Sequence, residues 1–189
     1  METQQITEFS IVEHIYKTRM KHDFARNELK PLSGIRRAWN RDAYVCYALM
    51  DHEELLGYAF FVRKDCNYLF DYFAIEETHR DRGLGSIFLK QLANCFPSAA
   101  CIVGEVEDPD KAENEEEKML RERRMQFYLR NGYRKTDVTS TVFGVAYRIL
   151  EIPVGKERTA EELVEIYTDL YRSILPKLFF RTQFKAGIG

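Results

Sequence analysis

A short glycine-bearing segment near the middle of the chain constrains the fold more than any other feature of the sequence. It reads Arg-Asp-Arg-Gly-Leu-Gly-Ser over residues 80–86, directly after an apolar, strand-like run at 68–75. Beyond it, Leu84, Phe88 and Leu92 recur at the spacing of an amphipathic helix, which Pro97 ends. The segment therefore predicts a strand, a tight turn and a helix in direct succession.

The same turn predicts a phosphate-binding site. Gly83 and Gly85 have no Cβ, so the backbone can approach a ligand closely, and the first N–H groups of the helix point at phosphate oxygens. The segment matches neither G-x-G-x-x-G nor G-x-x-x-x-G-K-[ST], which leaves the pattern R-x-x-G-x-G beginning at Arg80. By itself this pattern is also compatible with a flexible turn that binds nothing.

Composition predicts one globular domain and excludes several functional classes. The chain has 189 residues, 45% of them hydrophobic, which suits a single domain over residues 1–189 with a substantial core. The net charge of −2 is spread over interleaved acidic and basic residues, so no nucleic-acid partner is expected. The polar first ten residues and the lack of an apolar run of 18 predict a cytoplasmic protein without membrane association.

Cysteine and histidine spacing predicts neither a metal site nor a disulfide framework. The four cysteines contain no C-x-x-C pair, and the four histidines are scattered along the chain. We therefore expect reduced thiols and no metal. No Cys/His pair is evident either, so a mechanism through a covalent enzyme intermediate is not expected.

Hydrophobic patterning places the remaining elements. The expected strands cover 43–50, 55–63, 68–75, 100–106, about 133–138 and 142–152, and the first three of them should form an antiparallel meander. The expected helices cover 9–20, a segment that ends at Asn131-Gly132, and 159–175 behind a capping box at Thr159 and Glu162. No strand is evident before Phe9, and Pro31, Ser33 and Gly34 should interrupt helical structure.

Two motifs of the chain, and the order in which they occur, resemble those of the GNAT N-acetyltransferase superfamily. The first is R-x-x-G-x-G, and the second is Phe127-Tyr128 followed by Gly132-Tyr133, which is similar to the superfamily's F-Y-x-x-x-G-F/Y element. The resemblance covers about residues 43–152. It implies an α/β (α+β) fold with a mixed, mostly antiparallel twisted sheet flanked by helices, to which this chain adds a C-terminal helix.

The resemblance also implies acetyl-CoA as co-substrate and assigns residues to it. Backbone groups of three residues would bind the pantetheine and thioester: Phe73, Ala74 and Ile75. Six residues would surround the pyrophosphate: Asp81, Arg82, Gly83, Leu84, Gly85 and Ser86. For Arg80 and Arg82 the alternatives are a phosphate contact by at least one of them and solvated surface charge.

Direct acetyl transfer in a ternary complex needs a base for the acceptor ammonium and an acid for the departing thiolate. By resemblance, Glu105 is the candidate base, although it could instead pair with a cation, and Tyr128 is the candidate acid, although it could simply pack. Negative charge at Asp71, Glu105 and Glu107 favours a cationic small-molecule or peptide amine as acceptor. The role of the arginines at 121, 123 and 124 stays open between the acceptor, the CoA phosphates and solvent.

Two other functions fit the same sequence. The chain could be an acyl-CoA sensor that keeps the glycine loop but transfers nothing. It could also be an interaction module whose last helix forms a homodimer through an apolar face made of Leu163, Ile166, Tyr167, Leu170 and Ile174.

Overall fold

The computed structural model describes residues 1–152 and 154–189. The chain forms two compact units, the first made of residues 1–63 and 70–98 and the second of residues 64–69 and 99–189. The single domain expected from the sequence stays a prediction. Within the part of the chain that the structure describes, no helix is both long and apolar enough to cross a bilayer.

The first unit contains both strands and helices. Its strands follow one another in the order β1 (Glu2–Ile6), β2 (Tyr44–Asp51), β3 (Glu54–Lys64) and β4 (Asn67–Ile75), except that residue 64 of β3 and residues 67–69 of β4 are counted in the second unit. Its helices are α1 (Phe9–Ile15), α2 (Lys21–Asp23), α3 (Leu32–Trp39) and α4 (Leu84–Ala93), and a π-helical turn at Tyr16–Met20 joins α1 to α2. The order β2, β3, β4 confirms the predicted meander.

The second unit has its own strand order, β5-β7-β6-β8. The strands are β5 (Cys101–Glu107), β6 (Arg134–Val142), β7 (Val145–Ile152) and β8 (Phe184–Ile188), and the pairs β5/β7, β6/β7 and β6/β8 are antiparallel. The helices are α5 (Glu115–Arg130), α6 (Ala160–Ile174) and α7 (Lys177–Gln183). The predicted fold class, mixed α/β with mostly antiparallel strands, is confirmed.

Burial along the strands explains why these residues pair. In β3 every residue from Leu56 to Val62 is buried, so both faces of this strand are covered. The Phe61 ring stacks on Phe70 with ring centroids 4.7 Å apart and contacts Phe96 at 4.6 Å. Aromatic burial of this kind is a main source of stability in a domain of this size.

Strand β1 corrects the expectation that no strand precedes Phe9. It pairs antiparallel with β2, from Glu2 opposite Met50 to Ile6 opposite Cys46. Among its five residues only Ile6 is buried. A polar strand with one buried side chain has no readable period of two, which is why the sequence did not reveal it.

Helix α3 corrects the interruption predicted around Pro31 and Gly34. Pro31 stands immediately before the helix, where a missing N–H costs nothing, and its carbonyl accepts bonds from the N–H groups of Gly34 and Ile35 at 2.8 and 3.1 Å. The helix buries Ile35 and Ala38. Proline and glycine therefore mark the beginning of a helix here.

The β6–β7 hairpin also differs from its prediction, because β6 extends to Val142 and β7 begins only at Val145. The two turn residues have positive φ, +49° at Phe143 and +85° at Gly144, which matches a type I′ turn. The Phe143 N–H donates to the Gln183 carbonyl at 2.9 Å. Phenylalanine is not a usual turn residue, so the sequence did not predict a turn at Phe143 and Gly144.

Helix α6 forms as predicted, including its capping box. The Thr159 side chain accepts from the Glu162 N–H while the Glu162 side chain accepts from the Thr159 N–H. Leu163, Tyr167 and Leu170 are fully buried within the second unit. The apolar face thus packs on its own chain, and the homodimer stays a prediction.

Gly57 on β3 leads to a stability prediction. A Cβ at this position would lie 2.7 Å from the Ala74 carbonyl oxygen and 2.7 Å from Ile75 Cδ1. Because one of these contacts is with backbone, Gly57→Ala should lower the free energy of unfolding by about 2 kcal/mol, measured by urea denaturation. Gly34→Ala is the matched control, since a Cβ there meets nothing within 4 Å and alanine favours the α3 helix. Equal stability of both variants would contradict the close approach.

Candidate functional site

The glycine turn before α4 has the geometry expected of an anion-binding loop. Gly83 is the residue preceding the helix and has φ +76°, a left-handed conformation that glycine adopts without strain. No side chain caps the helix, whereas Asn114 caps α5 and Thr159 caps α6. The Ser86 N–H donates to the Gly83 carbonyl at 3.1 Å, so the N–H groups of Leu84 and Gly85 are the ones left for another acceptor.

Residues predicted to surround the pyrophosphate lie together at this turn. Asp81, Arg82, Gly83 and Ser86 are exposed, and Leu84 and Gly85 are half-buried. Asp81 also has a positive φ of +60°, so two left-handed residues curl the loop. Buried Phe88 and Leu92 anchor the helix behind it.

Arg80, the first residue of the motif, is committed to structural contacts. Its Nε donates to the Ile75 carbonyl at 3.0 Å, and its guanidinium pairs with Asp23 at 2.6 Å. Asp23 also accepts from the Tyr58 hydroxyl at 2.7 Å, and burial followed by the Asp23 charge raises the pKa of Tyr58. Arg82 is exposed beside the turn, and its two alternatives, a phosphate contact and solvated surface charge, both stay predictions.

The strand end predicted to bind pantetheine is well packed. The Phe73 ring contacts Phe70 and Phe88 at centroid distances of 5.4 and 5.6 Å. Ala74 and Ile75 are buried, and the Ile75 carbonyl already accepts from Arg80. These contacts fix the side chains, so a ligand at this strand end would be recognised through the main chain.

Asp71 does not contribute free negative charge for a cationic acceptor, contrary to the expectation from sequence. Its side chain is 1% exposed, and its two oxygens accept from Lys30 Nζ at 2.5 Å and from the Tyr44 hydroxyl. Burial and then the Asp71 charge raise the pKa of Tyr44, so that phenol stays protonated. Lys30 thus neutralises the Asp71 charge, and the contacts of Asp71 with Lys30 and Tyr44 are structural contacts within the first unit.

Tyr128 lies in the last turn of α5, which ends as the sequence predicts. Gly132 has φ +90°, and the N–H groups of Gly132 and Tyr133 donate to the carbonyls of Leu129 and Tyr128 in a Schellman motif. The half-buried Tyr128 ring lies 5.1 Å from the Tyr133 ring. Loss of hydration raises the pKa of Tyr128 to about 12, although Arg124 one turn earlier acts in the opposite direction.

Glu105 on β5 is bound by two tyrosine hydroxyls from α6. Its Oε1 accepts from the Tyr167 hydroxyl and, at 2.7 Å, from the Tyr171 hydroxyl. The Tyr167 hydroxyl lies 2.9 Å from Ser140 Oγ on β6. The sequence predicted Tyr167 only as part of the apolar face of α6 and gave Tyr171 no role. Glu105 is more than 60 residues away from either tyrosine in sequence, so local patterns did not reveal these contacts.

Glu107, two residues further along β5, has a different environment. It forms ion pairs with Arg121 at 3.4 Å and with Arg124. Arg121 is 8% exposed and also binds Glu117 at 2.7 Å and the Asp108 carbonyl at 2.8 Å. Arg121 and Arg124 therefore form ion pairs with carboxylates of the second unit, which the sequence did not predict.

Three of the four cysteines, all but the exposed Cys66, have the character of unreactive thiols. Burial raises the pKa of Cys101 to about 11 and also raises the pKa values of Cys46 and Cys95. Among the described residues, no group of three His, Cys, Asp or Glu side chains is placed to hold a metal ion.

Comparison with solved structures identifies the fold. A Bacteroides thetaiotaomicron protein assigned to the GNAT family of acetyltransferases superposes with a TM-score of 0.71 and 22% identity, covering 95% of this chain and 99% of its own. This chain has the GNAT fold. A GNAT acetyltransferase from Elizabethkingia anophelis with acetyl-CoA bound has a TM-score of 0.57 and 14% identity over 80% of this chain and 97% of its own.

An aminoglycoside 6′-N-acetyltransferase from Enterococcus faecium shares the GNAT fold as well, with a TM-score of 0.61 and 14% identity over 82% of this chain and 100% of its own. No protein-family model matches the sequence, and no curated protein sequence matches it. At these identities the likeness establishes the GNAT fold, and activity must be argued from the residues of the chain itself.

Proposed function

We propose that this chain is an N-acetyltransferase that transfers the acetyl group of acetyl-CoA to a primary amine. The observation that carries the proposal is the uncapped N-terminus of α4 behind left-handed Gly83, in a fold shared with a protein solved with acetyl-CoA bound. In the proposal, the backbone of residues 81–86 binds the diphosphate, and main-chain groups of Phe73, Ala74 and Ile75 bind the pantetheine and thioester.

The proposed chemistry is direct transfer. The acceptor ammonium loses a proton to Glu105, directly or through water, and its nitrogen lone pair attacks the thioester carbonyl carbon. The carbon–sulfur bond then breaks, and the CoA thiolate takes the Tyr128 phenolic proton. The attacking nitrogen also loses its second surplus proton to solvent, while solvent returns a proton to Tyr128 and removes one from Glu105, so the cycle balances with one proton released and needs no covalent enzyme intermediate.

The acceptor class is argued from Glu105 because the proposal makes this carboxylate the base, whereas Asp71 and Glu107 have no role in the chemistry and are paired with cations. A carboxylate next to the reacting centre favours a cationic amine, either a small molecule or the amine of a peptide. We expect the protein to act in the cytoplasm, where its four free thiols would remain reduced.

An amine panel tests the proposal. Purified protein is mixed with acetyl-CoA and with a polyamine, an aminoglycoside, and peptides bearing a free lysine or α-amine, while thiol release and product mass are followed. Amine-dependent thiol release with a matching acetylated product is expected. A rise in melting temperature with acetyl-CoA but no acetylated product across the panel would favour the acyl-CoA sensor instead.

Gly83→Ala should weaken acetyl-CoA binding. Alanine at φ +76° costs about 1–2 kcal/mol, and relaxing this strain would re-aim the N–H groups of the loop. We expect the dissociation constant, measured by calorimetry, to rise about tenfold for a loss of that size. Gly144→Ala is the matched control, because Gly144 has φ +85° and equally open surroundings but lies in the β6–β7 turn. If the two variants bound acetyl-CoA with equal affinity, the loop at Gly83 would not be part of the binding site.

A further inference from the structure

The C-terminal helix α6 supplies the hydrogen bonds that hold the Glu105 carboxylate, although it lies outside the two sequence motifs. Tyr167 and Tyr171 are 0% and 1% exposed, so their hydroxyls are sheltered from water that would compete for them. Both donate to the same carboxylate oxygen, Oε1. Such hydrogen bonds to an ionised acceptor are stronger than bonds between neutral groups.

The direction of these bonds can be deduced from the proton inventory. A tyrosine hydroxyl has one proton, and the Tyr167 proton is used on Glu105. The contact of 2.9 Å between Tyr167 and Ser140 must then be donated by Ser140. The resulting chain runs from Ser140 to Tyr167 to Glu105, with Tyr171 as a second donor, and every bond favours negative charge on Glu105.

Packing keeps the two tyrosines in place. Their rings lie 5.1 Å apart, and Phe184 on β8 contacts them at 5.5 and 4.8 Å. The polar part of this arrangement therefore rests on an aromatic cluster built from α6 and the last strand, both within the second unit.

We infer that Tyr167 and Tyr171 are positioning residues that fix the Glu105 carboxylate in its ionised form, so that α6 sets the acidic limit of the acetyltransferase reaction. The inference rests on the proposed function, because it assigns Glu105 the role of base. It adds two residues and a helix to the site that neither motif contains.

Three arginines on the elements beside β5 form ion pairs with carboxylates other than Glu105. Arg148 on β7 pairs with Asp108 at 3.1 Å and Asp110 at 3.0 Å. Arg121 and Arg124 on α5 pair with Glu107 on the same strand as Glu105. From α6, Tyr167 and Tyr171 donate to Glu105, and burial followed by the Glu105 charge raises the pKa of the Tyr167 phenol.

Tyr167→Phe and Tyr171→Phe test the inference, since each removes one hydroxyl and keeps the ring. We expect the acidic pKa of the kcat/KM profile to rise by about one unit in each variant, because a hydrogen bond to a charged group is worth that much. Ser140→Ala, one bond further away, should shift the profile by less. Titration of the acceptor amine affects all variants equally, so the difference between profiles reports on Glu105.

Tyr16→Phe is the matched control. The Tyr16 hydroxyl donates to the Lys30 carbonyl at 3.1 Å in the first unit, so its removal should leave the acidic limb unchanged. Profiles of Tyr167→Phe and Tyr171→Phe that overlay the parent profile would overturn the inference and leave the proposed function standing.

A second measurement separates failure of the inference from failure of the function. With glutamate labelled by carbon-13 at the side-chain carboxyl, the Glu105 signal is identified by its loss in Glu105→Gln and titrated by NMR in each variant. A rise in the Glu105 pKa in both Tyr→Phe variants supports the inference even if no amine is acetylated. An unchanged pKa overturns it whatever the activity.

Discussion

Tyr128→Phe should lower kcat for amine acetylation by about 100-fold or more, the usual contribution of a general acid, while the affinity for acetyl-CoA stays nearly constant. Phenylalanine keeps the ring that packs on Tyr133 but cannot protonate the departing thiolate. A thiol has a pKa near 8.5, below the value of about 12 for Tyr128, so the transfer from phenol to thiolate is uphill and is completed by rapid reprotonation of the phenolate from solvent. Stopped-flow thiol release and calorimetry with acetyl-CoA measure the two quantities separately.

Tyr133→Phe is the control for this variant. Tyr133 is the ring neighbour of Tyr128, and burial and then Tyr128 raise its pKa, but the proposal gives it no chemical role. We expect its kcat to change far less than that of Tyr128→Phe. Similar losses in both variants would indicate that packing at the end of α5, rather than proton donation, supports turnover.

The raised pKa of Tyr128 also fixes the pH range in which it can act. Because burial raises the folded-state pKa to about 12, the phenol keeps its proton at neutral and moderately alkaline pH. Its contribution to stability is fully present below the unfolded pKa of about 10 and is lost as the pH rises through the folded value. An alkaline decline of kcat below about pH 10 would therefore have to come from another group.

Local sequence signals predicted most of the fold. The meander β2–β3–β4, the glycine turn before α4 and the capped helix α6 each follow from short-range patterns, and each is confirmed. Features that depend on distant partners were missed. β1 is polar because it buries only Ile6, and the turn at Phe143 takes a left-handed residue that only its surroundings can stabilise.

In the candidate site, too, local features could be predicted from sequence and contacts with distant residues could not. Gly83 could be read from sequence because backbone geometry demands glycine at a left-handed position before a helix. The binding partners of the carboxylates could not be predicted from sequence. Asp71, Glu105 and Glu107 look alike in sequence, yet Lys30 neutralises the first, two phenols bind the second and two arginines bind the third.

That distinction among the carboxylates makes Glu105→Gln the second decisive variant. Glutamine keeps a side-chain oxygen that can accept from Tyr167 and Tyr171, so the local structure should survive, but it cannot take a proton from the acceptor ammonium. We expect kcat/KM for the amine to fall about 100-fold with little change in acetyl-CoA binding. Initial rates at saturating acetyl-CoA provide the measurement.

Glu107→Gln gives the matched comparison, because it makes the same substitution two residues away on the same strand. Glu107 balances Arg121, which is 8% exposed, and Arg124, so the loss of its charge should lower the unfolding midpoint more than the rate. The proposal thus requires opposite outcomes on one strand: activity lost and stability kept at Glu105, stability lost and activity largely kept at Glu107. If Glu105→Gln retained full activity while Tyr128→Phe lost it, proton removal from the amine would belong to water or to another carboxylate. Tyr167 and Tyr171 would then hold a structural residue only.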